Sequence, residues 1–218
     1  MSFTLERYSE VRPFLYHLTA RGNVERIRSV GRLESTSVLL EAADLSHDVR
    51  THRSEKLPIR VGAHEVLVRD QAPLHVGNID FQGGWDLSDL VENLNRRVFF
   101  WSGWEHKPVD YGRNHFERYK HEQPAILRVR FDSLRARNTR RTPRFCRFNS
   151  GAPRCSQGRR SPRGPETFLP ANRCPYTSKD VVEVTFLEEV ILPADTEFSE
   201  RPDGGWRLLF TEGQRPEA

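Results

Sequence analysis

Residues 13–31 read PFLYHLTARGNVERIRSVG. The apolar run PFLYHLT, 13–19, predicts a short buried strand. NVERIRSVG, 23–31, puts Val24, Ile27 and Val30 on one helical face, with Asn23 as cap and Gly31 as stop. His17 and Thr19, two residues apart near the end of the strand, share one of its faces. Asn23 opens a helix whose free N–H groups favour an anion such as a diphosphate. An imidazole, a hydroxyl and a helix N-terminus together suit a dinucleotide or a phosphorylated sugar. The same residues also fit a satisfied core histidine followed by an ordinary cap.

Outward from this stretch, STSVLLEAADL (35–45) predicts a second short helix behind hydroxyl caps. HEVLVRD (64–70) predicts a strand that ends before the turn at Pro73. WDLSDLVENLNRR (85–97) is amphipathic, with Leu87, Leu90, Val91 and Leu94 on one face. VFFW (98–101) predicts a buried strand, YGRNHFERYKHEQ (111–123) a polar helix, and AILRVRF (125–131) an alternating, half-exposed strand. Residues 149–180, dominated by Gly, Pro, Ser and Arg, predict a long mobile loop, and so long a loop in a compact domain is usually functional or disordered. DVVEVTF (180–186) predicts a strand that EVIL extends, and GWRLLF (205–210) a last edge strand. Short strands mixed with short helices, without regular βαβ alternation, give an α+β fold. It reads as one domain over 1–218 with the loop at about 149–180.

The chain has 218 residues, enough to bury a core without a disulfide or metal staple. No apolar run is long enough to cross a membrane, and the first residues lack a secretory pattern. Cys146, Cys155 and Cys174 are odd in number and lack CxxC spacing, which points to a reducing, cytoplasmic compartment; with a His they would make a poorly spaced zinc site, so no metal is expected. The net charge of +4 is unevenly placed. From Arg128 to Arg163 there are 12 Arg and one acid, Asp132, a window of +11 that leaves the rest of the chain at −7. Codon bias explains why these residues are Arg, but not why acids vanish among them. A concentrated cationic field points to a polyanion, most simply nucleic acid, with Arg140, Arg141, Arg144, Arg147, Arg159 and Arg160 as candidate contacts.

Glu183 stands in the apolar run Val181 to Phe186, where a buried carboxylate is costly. Alternation puts it on a face with Val181 and Thr185, looking into a cleft or into solvent. Arg69, in Arg69-Asp70-Gln71, suits bidentate capture of a phosphate, or pairs with Asp70 on the surface. Phe99 and Trp101 suit stacking on a nicotinamide or a base, or belong to the core. Asn149-Ser150-Gly151 is a turn beside the basic stretch. GxSxG, P-loop, GxGxxG and HExxH motifs are absent, which removes the main signatures of common hydrolases, ATPases, dehydrogenases and zincins.

These pieces together resemble the DarT-type ADP-ribosyltransferase toxins. His17-x-Thr19-x-x-x-Asn23-x-x-x-Ile27, then Gly31-x-Leu33, is similar to that family's opening H-[IL]-T, N-L-x-x-I-L and G-L. Val98-Phe99-Phe100-Trp101 is similar to its V-P-F-Y-F strand. Val182-Glu183-Val184-Thr185-Phe186, followed by Val190, Leu192 and Pro193, resembles its A-E-V-L-V strand with the catalytic Glu. The family's R-S-P-M-L-Y is missing; Ser102-Gly103-Trp104-Glu105 stands there. The chain resembles more closely a bacterial family of unassigned function marked by YHxT, STSxLL, IRDQ, NRRVFFW and NSG, here Tyr16 to Thr19, Ser35 to Leu40, Val68 to Gln71, Asn95 to Trp101 and Asn149 to Gly151.

The resemblance implies an ADP-ribosyltransferase-like split, twisted sheet with a cleft between its halves. It implies NAD as co-substrate, bound by His17, Thr19 and Asn23, with Phe99 or Trp101 over the nicotinamide. Glu183 is then catalytic, with Arg69 beside it as the candidate for the family's cofactor-gripping arginine and Arg53 or Arg60 as alternatives. The implied reaction moves ADP-ribose to a DNA or RNA base, as in a toxin or phage-defence effector, and leaves room for an antitoxin partner. An NAD glycohydrolase, a phosphotransferase on the same fold and a non-catalytic nucleic-acid-binding protein remain alternatives. If the site is real, His17 and Glu183 should lie on neighbouring central strands.

Overall fold

The computed structural model describes residues 3–201 and 204–211. Helix α1 (Leu5–Val11) and strand β1 (Phe14–Ala20) come first, then α2 (Val24–Val30), β2 (Arg32–Glu34) and α3 (Thr36–Ala42). A hairpin of β3 (Leu57–Val61) and β4 (His64–Val68) follows, then β5 (Ile79–Phe81), α4 (Leu87–Asn95), β6 (Arg97–Trp104) and β7 (Lys107–Pro108). Next come α5 (Asp110–Tyr119), β8 (Pro124–Arg130) and α6 (Phe131–Arg137). Seven short strands complete the chain: β9 (Arg144–Cys146), β10 (Ser161–Arg163), β11 (Leu169–Pro170), β12 (Glu183–Leu187), β13 (Glu189–Ile191), β14 (Glu197–Ser199) and β15 (Arg207–Leu208).

The predicted helix signals work as local chemistry. Asp86 and Asp89 close a reciprocal capping box at the start of α4, whose Leu90, Val91 and Leu94 are buried. Ser35 caps α3 by accepting from the Val38 amide. Gly31 ends α2 with φ of 65°, a left-handed conformation that a side chain would strain.

The main sheet runs β11-β9-β12-β6-β1-β8-β14-β15, with β7 hairpinned onto β6. Its pairings are antiparallel. The fold is therefore α+β, built on a mostly antiparallel sheet with short helices. One face packs Leu15, Phe100, Leu127, Val184 and Phe186 against α1, α2 and α6. On the other face, Tyr16, Trp101 and Ile126 pack under Phe116 and Tyr119 of α5. A separate cluster on Phe99 and Cys146 packs against α4.

β8 is not half-exposed: six of its seven residues are buried, because it lies between β1 and β14 with apolar layers on both faces. Its polar Arg128 is buried by pairing with Glu197, its register partner on β14, by donating to the Glu105 carbonyl and by lying over the Trp206 ring. EVIL does not extend β12. Glu188 turns the chain with φ of 62°, and β13 pairs with β2 instead.

Residues 149–180 are likewise not a free loop. β10 pairs in parallel with β5, and β11 pairs with β9. The clasp is Arg163, 1% exposed, whose guanidinium donates to the carbonyls of Asn149, Ser150 and Pro162 and to the Ser161 hydroxyl. A cation counted toward the surface field is thus a structural hub, stabilised by four acceptors where an unpaired buried charge would be costly.

Candidate functional site

The ladder between β1 and β6 is short. It covers Phe14↔Gly103, Leu15↔Ser102 and Tyr16↔Trp101. Beyond Tyr16, β1 stays paired with β8 as far as Ala20, while β6 runs beside β12 back to Arg97. A cavity of about 830 Å³ is lined by His17, Leu18 and Thr19 from one strand and Val98, Phe99 and Phe100 from the other. That volume lies within the roughly 300–1,000 Å³ usual for small-molecule sites. His17 reaches across: its Nδ1 lies 2.8 Å from the Phe99 carbonyl oxygen. A carbonyl can only accept, so Nδ1 carries the hydrogen and Nε2 is the bare acceptor. Burial first, and Arg69 in the same sense, lower the His17 pKa to about 4, so the ring is neutral.

His17, Thr19, Asn23, Arg69, Phe99, Trp101 and Glu183 all line this one cavity, although they come from four separate stretches of chain. His17 and Glu183 are not on neighbouring strands, however. β1 and β12 flank β6 on opposite sides, so the two residues sit two strands apart.

Glu183 is 3% exposed. It lines the cavity and is closed off from solvent, with the Asn149–Gly151 turn set against its carboxylate. Its Oε1 accepts from the Ser150 amide at 3.1 Å, and its Oε2 has no hydrogen-bond partner. Burial pushes its pKa up to about 7, opposed by Ser150 and by Arg163. The Asn149-Ser150-Gly151 turn, which composition marks only as a turn, is what presents that amide, and Arg163 holds the turn in place.

Asn23 stands at the N-cap position of α2, but its side chain makes no capping hydrogen bond. A 3-10 turn, Arg21–Asn23, leads into the helix, and the Asn23 amide is taken up laterally. It donates to Thr19 Oγ1 and to the Leu67 carbonyl, and it accepts from the Leu67 amide. Asn23 therefore ties β1 to β4. Thr19 keeps its own hydroxyl hydrogen to donate.

Arg69 pairs with Glu122 and not with Asp70; its guanidinium lies 4.2 Å from the centre of the Tyr119 ring. Arg53 lies beside it, donating to the Arg69 carbonyl and to Asn95 Oδ1. Arg53 Nη1, Arg69 Nε, Ser150 Oγ and Glu183 Oε2 are buried polar atoms without partners, all on residues lining this cavity. Native structures leave few such atoms unsatisfied, so four around one cavity mark where a ligand's polar groups would complete them. Arg60, the third arginine candidate, is exposed on β3 and outside the lining.

The surface field is only partly free. Arg141 pairs with Glu189, Arg128 with Glu197, and Arg135 with Glu6 and Asp132. Arg147 is exposed and stacks over Phe148. Arg140, Arg159 and Arg160 are exposed and form no ion pair among the described residues, and half-buried Arg144 forms none either. No group of His, Cys, Asp or Glu among the described residues could hold a metal ion, and no helix there is long and apolar enough to cross a membrane.

The fold and this site define a class: an α+β domain on a mostly antiparallel sheet, with a cavity of mixed polar and apolar lining and a buried carboxylate in its wall. The chain belongs to a family described as a family of unknown function, DUF7002, which it matches over residues 13–196. That span contains every cavity residue named above. Searches of curated proteins and of solved structures found no match.

Proposed function

We propose that the chain transfers ADP-ribose from NAD to a nucleic-acid acceptor, with Glu183 as the catalytic carboxylate. The observation that carries this reading is Glu183 Oε2: buried, unpartnered, titrating near neutrality and set in the wall of a cavity large enough for a dinucleotide. The other unpaired atoms match the rest of the substrate. Arg53 Nη1 and Arg69 Nε can donate to a diphosphate, and His17 Nε2 can accept from a ribose hydroxyl. Phe99 and Trp101 offer apolar walls to the nicotinamide.

In the reaction the bond from ribose C1′ to the nicotinamide nitrogen breaks, and its electron pair stays with the departing ring. The acceptor's lone pair forms the new bond to C1′. Ionised Glu183 opposes the cationic character that develops on the ribose, and Oε2 takes the acceptor's proton. Exposed Arg154 at the cavity, with Arg159 and Arg160 in the same segment, supplies cations for a polyanionic acceptor. Such chemistry suits a toxin or phage-defence effector.

Mass spectrometry of DNA and RNA after incubation with NAD tests the reading. An added ADP-ribose that disappears in Glu183→Gln supports it, with a loss of roughly 100-fold or more in rate. Free ADP-ribose alone would assign a glycohydrolase, and a flat calorimetric titration with NAD would sink the reading altogether.

A further inference from the structure

Helix α5 reads DYGRNHFERY, a polar sequence that nothing so far assigns. Its residues Tyr111, Asn114, His115 and Arg118 follow i, i+3, i+4, i+7 spacing, and all four line the cavity. The acids of the helix lie off this stripe and are satisfied elsewhere: Asp110 pairs with Arg113 and Glu117 with Lys120. The stripe therefore offers one aromatic ring, one amide, one imidazole and one cation, with no negative charge.

Its exposure is graded. His115 is packed between Trp101 and Tyr119, with ring centroids 5.5 Å and 5.0 Å away. Tyr111 is 41% exposed, and Asn114 and Arg118 are exposed as well. The middle of the stripe, at His115, thus touches Trp101, the register partner of Glu183, while Tyr111 and Arg118 at its ends meet solvent. Gly112 sets this approach: a Cβ there would lie 2.8 Å from Pro108 Cβ and 2.9 Å from Trp101 Cγ. Burial holds His115 neutral, so its ring keeps both a donor and an acceptor for hydrogen bonds.

We propose that the α5 stripe Tyr111–Asn114–His115–Arg118 docks an unpaired nucleobase and its phosphate, and so leads the acceptor from solvent to the reacting centre at Trp101 and Glu183. This rests on the transfer reading above and adds the place and form of the acceptor. An exposed tyrosine ring stacks on any base, an asparagine amide reads a base edge bidentately, and an arginine engages the phosphate. A base stacked in a duplex hides its ring faces from the tyrosine, so the site favours single strands over duplex. NAD's proposed partners lie on β1, on β6 and on the segments carrying Arg53, Arg69 and Glu183, and the two sites meet where His115 packs on Trp101.

The test uses the whole protein, short single-stranded homo-oligonucleotides of each base as fluorescent probes, and calorimetry with NAD. Tyr111→Ala and Asn114→Ala should each weaken single-strand binding, by about tenfold for the tyrosine, while Tyr111→Phe keeps it and NAD affinity is unchanged. Both positions are exposed, so thermal stability should not move. Wild-type oligonucleotide affinity in both alanine variants overturns the proposal. So does loss of NAD affinity in parallel, which would give the stripe to the adenine of NAD. A wild-type protein that binds oligonucleotide through this stripe but never binds NAD would uphold the docking site and refute the transfer chemistry instead.

Discussion

Glu183 should make the protein less stable as pH rises, and removing its charge should abolish that loss. Its pKa stands at 4.5 as an ordinary side chain and about 7 in the folded protein, chiefly because it is buried. The folded state therefore holds a proton that the unfolded chain has released between those values. The contribution is fully present below pH 4.5 and is lost as pH rises through 7. At 1.36 kcal/mol per unit the swing is about 3 kcal/mol. Glu183→Gln keeps the bond from the Ser150 amide but leaves an amide N–H₂ where Oε2 has no partner, a cost of about 1–3 kcal/mol that does not vary with pH. The informative quantity is thus the difference in pH dependence, not the absolute stability. His17 and His115, lowered to about 4 and about 3, act in the opposite sense in both proteins: their stabilisation is present above pH 6.5 and is lost as pH falls. They cancel in the comparison. Urea unfolding at a series of pH values should show wild type losing about 3 kcal/mol relative to Glu183→Gln between pH 4.5 and 8. In melting temperature that is about 6–12 °C. Parallel curves for the two proteins would refute the buried, proton-holding carboxylate.

Two further outcomes follow from the arginines. Arg163→Met removes four hydrogen bonds from buried or part-buried acceptors, so it should cost about 3–5 kcal/mol in urea unfolding and release the 149–163 segment to protease; a wild-type digestion pattern would show that the clasp is not needed. Neutralising Arg140, Arg147, Arg159 and Arg160 together should leave the melting temperature alone and flatten the salt dependence of nucleic-acid binding by up to about one unit per lost contact, whereas Arg141→Gln, which leaves Glu189 with Arg32 alone, should act on stability; an unchanged slope in the quadruple variant would rule out this surface as the polyanion site.

Features that depend on neighbours along the chain can be read from the residues alone. The apolar run at 13–19 made a buried strand, the spacing of Leu87, Leu90, Val91 and Leu94 made an amphipathic helix, and Gly31 stopped α2. His17, Arg69 and Glu183 stood out because polar groups at strand ends are expensive to bury unless something uses them. What those signals could not carry is partnership across distance. Asn23 has the composition of a helix cap, yet its amide is spent on Leu67, more than forty residues away. Arg163 has the composition of a surface cation, yet the carbonyls of Asn149 and Ser150 draw it into the interior. The polar stripe of α5 was legible as spacing at 111, 114, 115 and 118, but a spacing does not say which face meets a cavity. That comes from the packed fold, because hydrogen bonds and burial depend on which strands the sheet order β12-β6-β1 brings side by side.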